Sequence, residues 1–493
     1  MSRVRSNVAR LSRHTLVYGL GNILNRAITF LLLPLYTNVM TPEQFGALNL
    51  IYPFLALMNV AFMYGMDSAF MRFFIPEKDP EARKRVYSTV YFSILVTTIT
   101  WTVLLFVLQR PLTGLLLGDD PAGSVLWLAF IILAIDGLSF IPVLYYRSIQ
   151  NAPRYVLIIF LEVCINLGLN ILFVGVWHWG IKGVLLANIV SSATKLLLAF
   201  PSVLANTRWA WNPGLLRGLL AFGLPTVPAV LFVMVINLGD RFILEFFFDK
   251  TVVGVYSAGY KIGMIMALVV TAFRFAWHPF FLSISDQDDA PQTFARILTL
   301  FTALAGFIFL LVGLVAPPVL THEFGGHAII PAQYAEGLRI LPYVLLAHIF
   351  QGVYVNLVVG MYIKKRTLLA PLFTGTGMVV NLVTNFVLIG HFGWDFTAAG
   401  VAALLAYASQ SLLLYFVSRR FYPVPYEFSR LARIALVAGA LYLIPVYLEL
   451  NLLWTGLLAA LLYFPALGLS GVISPAGVVE GFRGLLKRDG ASR

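Results

Sequence analysis

Long apolar stretches alternate with short polar segments along the chain. An α-helix needs about twenty apolar residues to cross the hydrocarbon core of a bilayer, which is roughly 30 Å thick. About fourteen runs of that length can be counted, although Leu450 and Asn451 barely separate the last two. The predicted spans are 15–39, 46–71, 86–108, 124–146, 155–175, 180–203, 219–248, 252–273, 296–319, 338–361, 367–390, 396–417, 431–448 and 452–470. The pattern therefore predicts an all-α integral membrane protein.

The composition agrees with lipid as the main solvent. Of the 493 residues, 60% are hydrophobic and 11% are charged, whereas soluble domains carry about 25% charged residues. The net charge of +12 does not indicate a nucleic-acid partner, because the basic residues lie in short segments between the apolar runs. The single cysteine, Cys164, excludes an internal disulfide and a metal site built on several thiolates. We expect no cofactor, no metal and no nucleic acid.

The placement of the basic residues predicts the orientation. Most of the 34 Lys and Arg residues fall on one side of the membrane if the N-terminus is cytoplasmic, which is the asymmetry of the positive-inside rule. The basic segment 1–14 continues into an apolar run that is longer than the core of a signal peptide. We therefore expect a multi-pass protein of the cell inner membrane, with a retained first helix and both termini in the cytoplasm. Because every connection is short, no extramembrane catalytic module is expected.

Asparagine and glycine positions repeat along the chain. Asn166 and Asn170 in the fifth span are matched 215 residues later by Asn381 and Asn385 in the eleventh. Further matches pair Gly183-Val184 with Gly400-Val401, Phe45-Gly46 with Val253-Gly254, and Tyr18-Gly19-Leu20 with Phe222-Gly223-Leu224. Parallel repeats are typical of transporters whose substrate site lies between the halves. We expect a six-helix lobe at 1–210, a second at 211–425, and two extra helices with a cytoplasmic tail at 426–493.

Several polar and ionisable side chains fall within spans or at their ends, although a charge at the bilayer centre costs about 2.5–3.5 kcal/mol. They are Asn22, Asn25, Arg26, Asp67, Arg72, Asp136, Glu162, Asp240, Arg241, Lys261 and His348. Arg26 and Lys261 lie too deep to reach either interface easily, and each belongs to a different half. A cavity between the halves would bring both cations to one anion. The sequence therefore predicts a substrate with a phosphate or diphosphate group.

These side chains divide into two predicted groups. The predicted substrate-binding residues are Asn22, Asn25, Arg26, Arg72, Arg241 and Lys261. The residues predicted to balance charge or to carry a coupling H⁺ or Na⁺ are Asp67, Asp136, Glu162, Asp240 and His348. Structural roles stay open as alternatives: ion pairs for Asp67 with Arg72 and Asp240 with Arg241, interhelical hydrogen bonds for the asparagines, a neutral buried ring for His348, and a snorkelling side chain for Lys195.

A set of short motifs carries a family resemblance. In the first half they are Tyr18-Gly-Leu-Gly21, Phe30-Leu-Leu-Leu-Pro34, Thr41-Pro-Glu-Gln-Phe-Gly46, and Tyr64-Gly-Met-Asp67 with Arg72. In the second half they are Phe222-Gly-Leu-Pro225, Asp240-Arg241 and Val253-Gly-Val-Tyr256. With these motifs the chain resembles the Wzx-type polysaccharide flippases of the multidrug/oligosaccharidyl-lipid/polysaccharide exporter superfamily.

The resemblance implies a V-shaped pair of six-helix lobes that opens a central cavity to one side at a time. It also implies an undecaprenyl-diphosphate-linked oligosaccharide as the substrate, moved from the inner to the outer leaflet. The lipid II flippases of the superfamily use a cationic cavity, which Arg26, Lys261 and Arg72 match in kind. In those flippases the two extra helices form a groove for the lipid tail, and here they correspond to 431–470.

Three functions compete. The leading hypothesis is a flippase, a transporter and not an enzyme, for a polyprenyl-diphosphate-linked glycan. The second is a cation-coupled multidrug exporter of the same superfamily, against which the deep cations Arg26 and Lys261 argue. The third is a membrane glycosyltransferase or polymerase, for which the outer loop offers only the weak metal-like set His322, Glu323 and His327.

Overall fold

The computed structural model describes residues 30–118, 125–209 and 211–472. Most of these residues are helical, and 13 helices among them are long and apolar enough to cross a membrane. The predicted all-α membrane architecture is therefore confirmed. The first predicted span, 15–39, lies mostly outside the described residues.

We call the helices before residue 210 the N-half. They are α1 (Leu33–Val39), α2 (Pro42–Met63), α3 (Met66–Phe74), α4 (Pro80–Val107), α5 (Gln109–Leu117), α6 (Leu126–Ser148), α7 (Ala152–Asn170) and α8 (Gly180–Asn206). The local sequence determines where several of these helices begin. At α2, for example, the side chain of Thr41 accepts a hydrogen bond from the backbone of Gln44, the side chain of Gln44 accepts one from the backbone of Thr41, and Pro42 occupies the first turn.

The helices from 213 to 418 form the C-half, and two more follow. They are α9 (Pro213–Gly223), α10 (Val227–Leu238), α11 (Asp240–Phe247), α12 (Lys250–Gly263), α13 (Ile265–Ile284), α14 (Ala290–Leu310), α15 (Ala316–Thr321), α16 (Ala332–Ala335), α17 (Leu341–Leu357), α18 (Val359–Ile363), α19 (Ala370–Asn385), α20 (Thr397–Ser418), α21 (Phe428–Tyr447) and α22 (Leu452–Leu469). A hairpin of β1 (Glu323–Phe324) and β2 (His327–Ala328) follows α15.

The repeated asparagines have the same local role in both halves. The Nδ2 atom of Asn170 donates to the backbone oxygen of Asn166, and that of Asn385 donates to the backbone oxygen of Asn381. In each half the α-helix then widens into a π-helical segment, Ile171–Val176 after α7 and Phe386–His391 after α19. The sequence repeat therefore has a structural counterpart.

The eighth predicted span, 252–273, is too short. In the structure this segment is two helices, α12 and α13, which break at Met264 and continue to Ile284. The predicted span ends one residue before Arg274. Arg274 instead lies on α13 and faces a cavity of the C-half, which accommodates its charge inside the helical bundle.

The two halves touch most closely where α2 crosses α12. A Cβ atom on Gly46 would lie 1.8 Å from the backbone oxygen of Lys250, and one on Gly254 would lie 1.9 Å from that of Pro42. Only glycine permits backbones to approach so closely. Because α1 and the hairpin lie near this crossing, we call this end of the bundle the hairpin end.

Hydrogen bonds fasten the loop around the hairpin to the N-half. Asn38 donates from Nδ2 to the backbone oxygen of Ala328 at 2.8 Å, and Thr37 donates from its hydroxyl to that of Ile329 at 3.0 Å. The buried hydroxyl of Tyr334 donates to the backbone oxygen of Met40 at 2.9 Å. The halves are thus joined at the hairpin end by polar contacts as well as by helix packing.

Nearer the opposite end of the bundle, α9 packs against α3 of the N-half. A Cβ atom on Gly65 would lie 2.1 Å from the backbone oxygen of Gly223, and Leu219 of α9 joins the apolar cluster of Phe70 and Phe74. The first helix of the C-half therefore packs partly on the N-half. The division into lobes at residue 210 stays a prediction.

Candidate functional site

A cavity of about 430 Å³ lies between the halves. Its N-half wall comes from α2, α7 and α8, with Leu32 and Tyr36, and its C-half wall comes from α10, α11 and α12, with Met264 between α12 and α13. Three charged side chains line it: Glu162 from the N-half, and Arg241 and Lys261 from the C-half. Two of the predicted substrate-binding cations therefore share one cavity with one of the predicted charge-balancing carboxylates.

Lys261 lies in this cavity against aromatic rings. Its Nζ atom is 4.4 Å from the centre of the Phe45 ring and 5.9 Å from that of Tyr36, which are cation–π distances. In the part of the chain that the structure describes, no carboxylate lies within ion-pair distance of this Nζ atom. Both rings belong to the N-half, so the Lys261 side chain bridges the two halves.

Arg241 is buried on the first turn of α11. Its Nη1 atom donates to the backbone oxygen of Asn237 at 2.8 Å, and its guanidinium lies 4.5 Å from the centre of the Tyr260 ring. The neighbouring Asp240 is fully buried and accepts a hydrogen bond from the hydroxyl of Tyr256. Asp240 is thus held by Tyr256 beside Arg241, while the rings of Tyr256 and Tyr260 fix the orientation of the guanidinium.

Two predicted carboxylates of the N-half share one lysine. Lys195 on α8 donates from Nζ to Asp136 at 2.9 Å and to Glu162 at 2.7 Å. The prediction of a snorkelling Lys195 is wrong, because its charge is neutralised inside the bundle. The sequence did contain a signal, since all three residues stand well inside their spans and roughly two turns or more from either helix end. We call Asp136, Glu162 and Lys195 the N-half triad.

A second cavity, of about 730 Å³, lies within the C-half, and we call it the C-half chamber. It adjoins the cavity between the halves, because Leu238, Arg241 and Met264 line both. Its charged or titratable side chains are Arg241, Arg274, His278 and His348, together with tyrosines. In the described residues no Asp or Glu lines the chamber.

A line of polar side chains crosses the chamber. Nδ1 of His348 lies 3.1 Å from Oε1 of Gln351, whose Nε2 donates to the hydroxyl of Tyr407 at 3.3 Å. The Tyr407 hydroxyl in turn donates to Oδ1 of Asn237 at 2.8 Å. His348 is therefore part of a hydrogen-bonded wall and faces Tyr260 and Tyr407.

The remaining predicted site residues lie elsewhere. Asp67 and Arg72 stand in the first and last turns of α3, and neither lines either of these two cavities. Within the residues described, they are not within ion-pair distance of each other. Asn22, Asn25 and Arg26 fall outside the described residues.

A third cavity lies between the first terminal helix, α21, and the C-half. It measures about 930 Å³ and lies between α14, α17, α20 and α21, and almost all of its lining side chains are apolar or aromatic. We call it the apolar groove. Over residues 30–118, 125–209 and 211–472, no cluster of three or more His, Cys, Asp or Glu side chains is placed to hold a metal ion, and this includes the hairpin with His322 and His327.

The fold matches solved transporter structures. The lipid II flippase MurJ in an inward closed conformation superposes with a TM-score of 0.72 at 13% identity, over 93% of this chain and 99% of that one. An inward-facing multidrug resistance MATE family transporter of the MOP superfamily gives 0.63 at 16% identity, over 86% and 98%. The Vibrio cholerae MATE transporter VcmN gives 0.57 at 13% identity, over 85% and 98%. The chain therefore has the fold of MOP-superfamily transporters.

The family follows from the sequence itself. Residues 11–285, more than half of the chain, match the family described as polysaccharide biosynthesis protein. The chain belongs to this family, so the predicted link to polysaccharide biosynthesis is confirmed. None of the curated protein sequences matches the chain significantly.

Proposed function

We propose that the chain is a flippase that moves a polyprenyl-diphosphate-linked oligosaccharide from the inner to the outer leaflet of the cytoplasmic membrane by alternating access. The observation that carries this proposal is that Arg241 and Lys261 line one cavity between the halves. Cations inside a membrane protein face a wet cavity, a partner or a ligand, because their burial in lipid is unfavourable. A diphosphate fits both, since its oxygens accept paired hydrogen bonds from a guanidinium and attract an ammonium.

The carboxylates can neutralise the cations when the substrate anion leaves, so that the anion can be released and bound again. Glu162 faces the same cavity and Asp240 adjoins Arg241, so both offset positive charge while no substrate is bound. An incoming diphosphate would take over that role. We propose Asp136, Glu162, Asp240 and His348 as the groups that couple this exchange to H⁺ or Na⁺.

The apolar groove supports a substrate with a long hydrocarbon tail. Its volume of about 930 Å³ and its apolar lining between the C-half and α21 suit a polyprenyl chain that stays in a hydrophobic environment while the headgroup is polar. This groove lies beside helices that the family resemblance assigns to tail binding. A substrate without a lipid tail would not need it.

We also propose an orientation of the chain in the membrane. The hairpin end would face the outside, and the opposite end, with both termini, would face the cytoplasm. Asp67 and Arg72 on α3 would then lie near the cytoplasmic mouth, where Arg72 could attract the diphosphate before it reaches Arg241. Asn22, Asn25 and Arg26 stay predicted substrate contacts on the first span.

Reconstitution of the purified chain in lipid vesicles with labelled polyprenyl-diphosphate glycans tests the proposal. The measurement is the fraction of glycan that changes leaflet. Arg241→Ala and Lys261→Ala should abolish this movement, because each removes a cation from the cavity. The matched control is Lys182→Ala, which removes an exposed lysine on α8 that does not line the cavity. Normal flipping in both cavity variants would contradict the proposal.

A cation-coupled multidrug exporter is the second candidate. It is favoured by the likeness to MATE transporters and by Glu162, a carboxylate in the cavity. This function predicts proton-driven efflux of a cationic dye from vesicles, lost in Glu162→Gln, with no movement of the glycan. If the chain is a flippase, the glycan changes leaflet and the dye is not exported. We propose no enzymatic activity for the chain, and chelator-sensitive glycan polymerisation by the purified protein would overturn that.

A further inference from the structure

The C-half chamber offers a surface unlike the other two cavities. Its volume of about 730 Å³ lies within the range of roughly 300–1,000 Å³ typical of small-molecule sites. The cavity between the halves is smaller, at about 430 Å³, and contains the carboxylate of Glu162. The apolar groove is larger but has few polar groups. The three cavities therefore differ from one another in both size and polarity.

The chamber wall carries the chemistry that recognises hydroxyl groups. Gln351, Gln410, Asn237 and Tyr407 provide amide and phenol groups, which both donate and accept hydrogen bonds. The rings of Tyr354 and Tyr362, which are not fully buried, provide faces against which the apolar side of a sugar ring can pack. With no Asp or Glu among the described lining residues, the chamber accepts neutral or anionic groups and disfavours cations.

Helix α17 separates the chamber from the apolar groove. Gln351, Tyr354 and Val355 face the chamber, whereas Phe350 and Val353 face the groove. A single ligand that holds its tail in the groove and its sugars in the chamber would therefore use both faces of this helix. Arg241 stands where the chamber meets the cavity between the halves, so a diphosphate bound there lies at the entrance to the chamber.

We propose that the C-half chamber binds the sugar residues next to the diphosphate, while Arg241 and Lys261 hold the diphosphate itself. This inference rests on the proposed flippase function and adds which cavity takes the glycan. The glycan would enter the C-half rather than the N-half, where the N-half triad occupies the interior. Gln351 and Tyr407 are the predicted sugar contacts.

Photo-crosslinking in the full chain tests the assignment with the cell's own glycan. A single tyrosine is replaced with p-benzoylphenylalanine, which carries a benzoyl group in place of the hydroxyl and, on irradiation, reacts with C–H bonds of a bound ligand. The three matched positions are Tyr354 in the chamber, Tyr52 in the cavity between the halves and Tyr442 in the apolar groove. After irradiation of native membranes, mass spectrometry of the peptides identifies adducts that release sugar fragments.

We expect sugar-bearing adducts at Tyr354 and none above background at Tyr442. Sugar-bearing adducts at Tyr52 but none at Tyr354 would overturn the chamber assignment and leave the flippase proposal intact. Equal sugar adducts at Tyr354 and Tyr442 would also overturn it, because the chamber would then not be selective. An absence of sugar adducts at all three positions would contradict both the assignment and the proposed function.

A second variant separates binding from folding. Gln351→Leu removes the chamber amide but keeps a side chain of similar size, whereas Ile349→Leu on the groove side of α17 is its control. In vesicles, Gln351→Leu should raise the KM for the glycan-bearing lipid and leave the KM for bare polyprenyl diphosphate unchanged. An equal effect on both lipids would contradict a sugar-binding role.

Discussion

The two halves have matching backbones and different interiors. In both, a pair of asparagines ends an α-helix and a π-helical segment follows. The same shift of 215 residues takes Asp136 to Gln351 and Glu162 to Gly377. The carboxylates of the N-half are thus replaced by an amide and by a glycine, and a shared fold carries two different polar interiors.

The third member of the N-half triad also has a neutral counterpart. Where α8 carries Lys195 against α7, α20 carries Gln410 against α19, and a Cβ atom on Gly377 would lie 2.1 Å from Nε2 of Gln410. In the N-half, ion pairs among three charged side chains join the helices. In the C-half, the corresponding amide side chains line an open chamber. The difference leaves one half with a charged interior and the other with a hollow interior.

The largest expected effect comes from Lys195→Met. It leaves Asp136 and Glu162 inside the bundle without their cation, and removal of one partner from a buried ion pair destabilises by about 3–5 kcal/mol. We expect a value near the lower end of that range, about 3 kcal/mol, because both carboxylates keep some exposure to the cavity. Thermal unfolding of the purified chain in detergent measures the change.

The control for Lys195→Met is Gln410→Met, the matching change in the C-half. It removes no charge, so we expect a loss below about 1.5 kcal/mol. The triple variant Lys195→Met, Asp136→Asn, Glu162→Gln should regain most of the stability while substrate transport stays impaired. Equal losses for Lys195→Met and Gln410→Met would remove the distinction between the halves.

At the contact between the halves, we expect matching substitutions in the two halves to have equal effects on stability. Gly46 and Gly254 occupy matching positions, and each Cβ would meet a backbone oxygen of the other half, at 1.8 Å and 1.9 Å. Gly46→Val and Gly254→Val should therefore destabilise the contact at the hairpin end to the same degree, by about 1–3 kcal/mol each. Solvent accessibility of a cysteine introduced by Met40→Cys, at a position that is buried in the natural chain, should rise in both variants when Cys164 is replaced by serine.

Gly168→Val is the control for these glycine variants. Gly168 lies on α7, and a Cβ atom added there would have no neighbouring atom within 4 Å, so the new side chain meets open space. We expect unchanged stability and unchanged accessibility of the cysteine at position 40. A large effect in one of Gly46→Val and Gly254→Val but not in the other would show that the contact is not symmetric.

Much of the fold could be predicted from the sequence, because lipid forces helices to satisfy their own backbone hydrogen bonds and makes apolar length a reliable signal. The repeat was also visible, since asparagine and glycine are rare enough in spans to align. The length of the eighth span could not be predicted from local hydropathy. Arg274 lies just beyond the predicted end of that span, yet in the structure it is part of α13 and lines the chamber.

The candidate site was less predictable, because contacts between distant spans decide it. The sequence placed Lys261 at membrane depth, but only the folded chain brings the Phe45 and Tyr36 rings beneath its ammonium. Lys195 was taken for an interfacial side chain because hydropathy gives the depth of a residue and not its partner. The chamber was missed for the same reason, since no single span contains it.

The asparagine pairs provide a smaller test. The hydroxyl of Tyr36 donates to Oδ1 of Asn170 at 2.7 Å, whereas Oδ1 of Asn385 is buried without a hydrogen-bond partner in the described part of the chain. Asn170→Ala should destabilise by about 1–3 kcal/mol, because it leaves the buried Tyr36 hydroxyl without its acceptor. Asn385→Ala should change stability by less than about 1 kcal/mol. Thermal unfolding distinguishes the two, and equal losses would contradict the difference.

The smallest expected effect concerns the connections that follow the two π-helical segments. The N-half connection carries Trp177 and Trp179, with ring centres 4.7 Å apart. The C-half connection carries Asp395, which pairs with Arg339 at 3.0 Å and accepts a hydrogen bond from the backbone of Thr397 at 2.9 Å. A carboxylate thus contributes to one connection and aromatic packing to the other.

This difference makes only the C-half connection sensitive to acid. Partial burial acts to raise the pKa of Asp395, but hydrogen bonds from Thr397 and the charge of Arg339 outweigh it and lower the pKa below its ordinary value. A lowered pKa in the folded state gives stability that is present above the unfolded pKa of about 3.9 and is lost as the pH falls through the folded pKa. Asp395→Asn should therefore lower stability at about pH 6 by at most about 0.5 kcal/mol, because the pair is exposed. At about pH 2 the variant and the natural chain should unfold at the same temperature, and a difference that persists there would mean that Asp395 acts through packing and not through its charge.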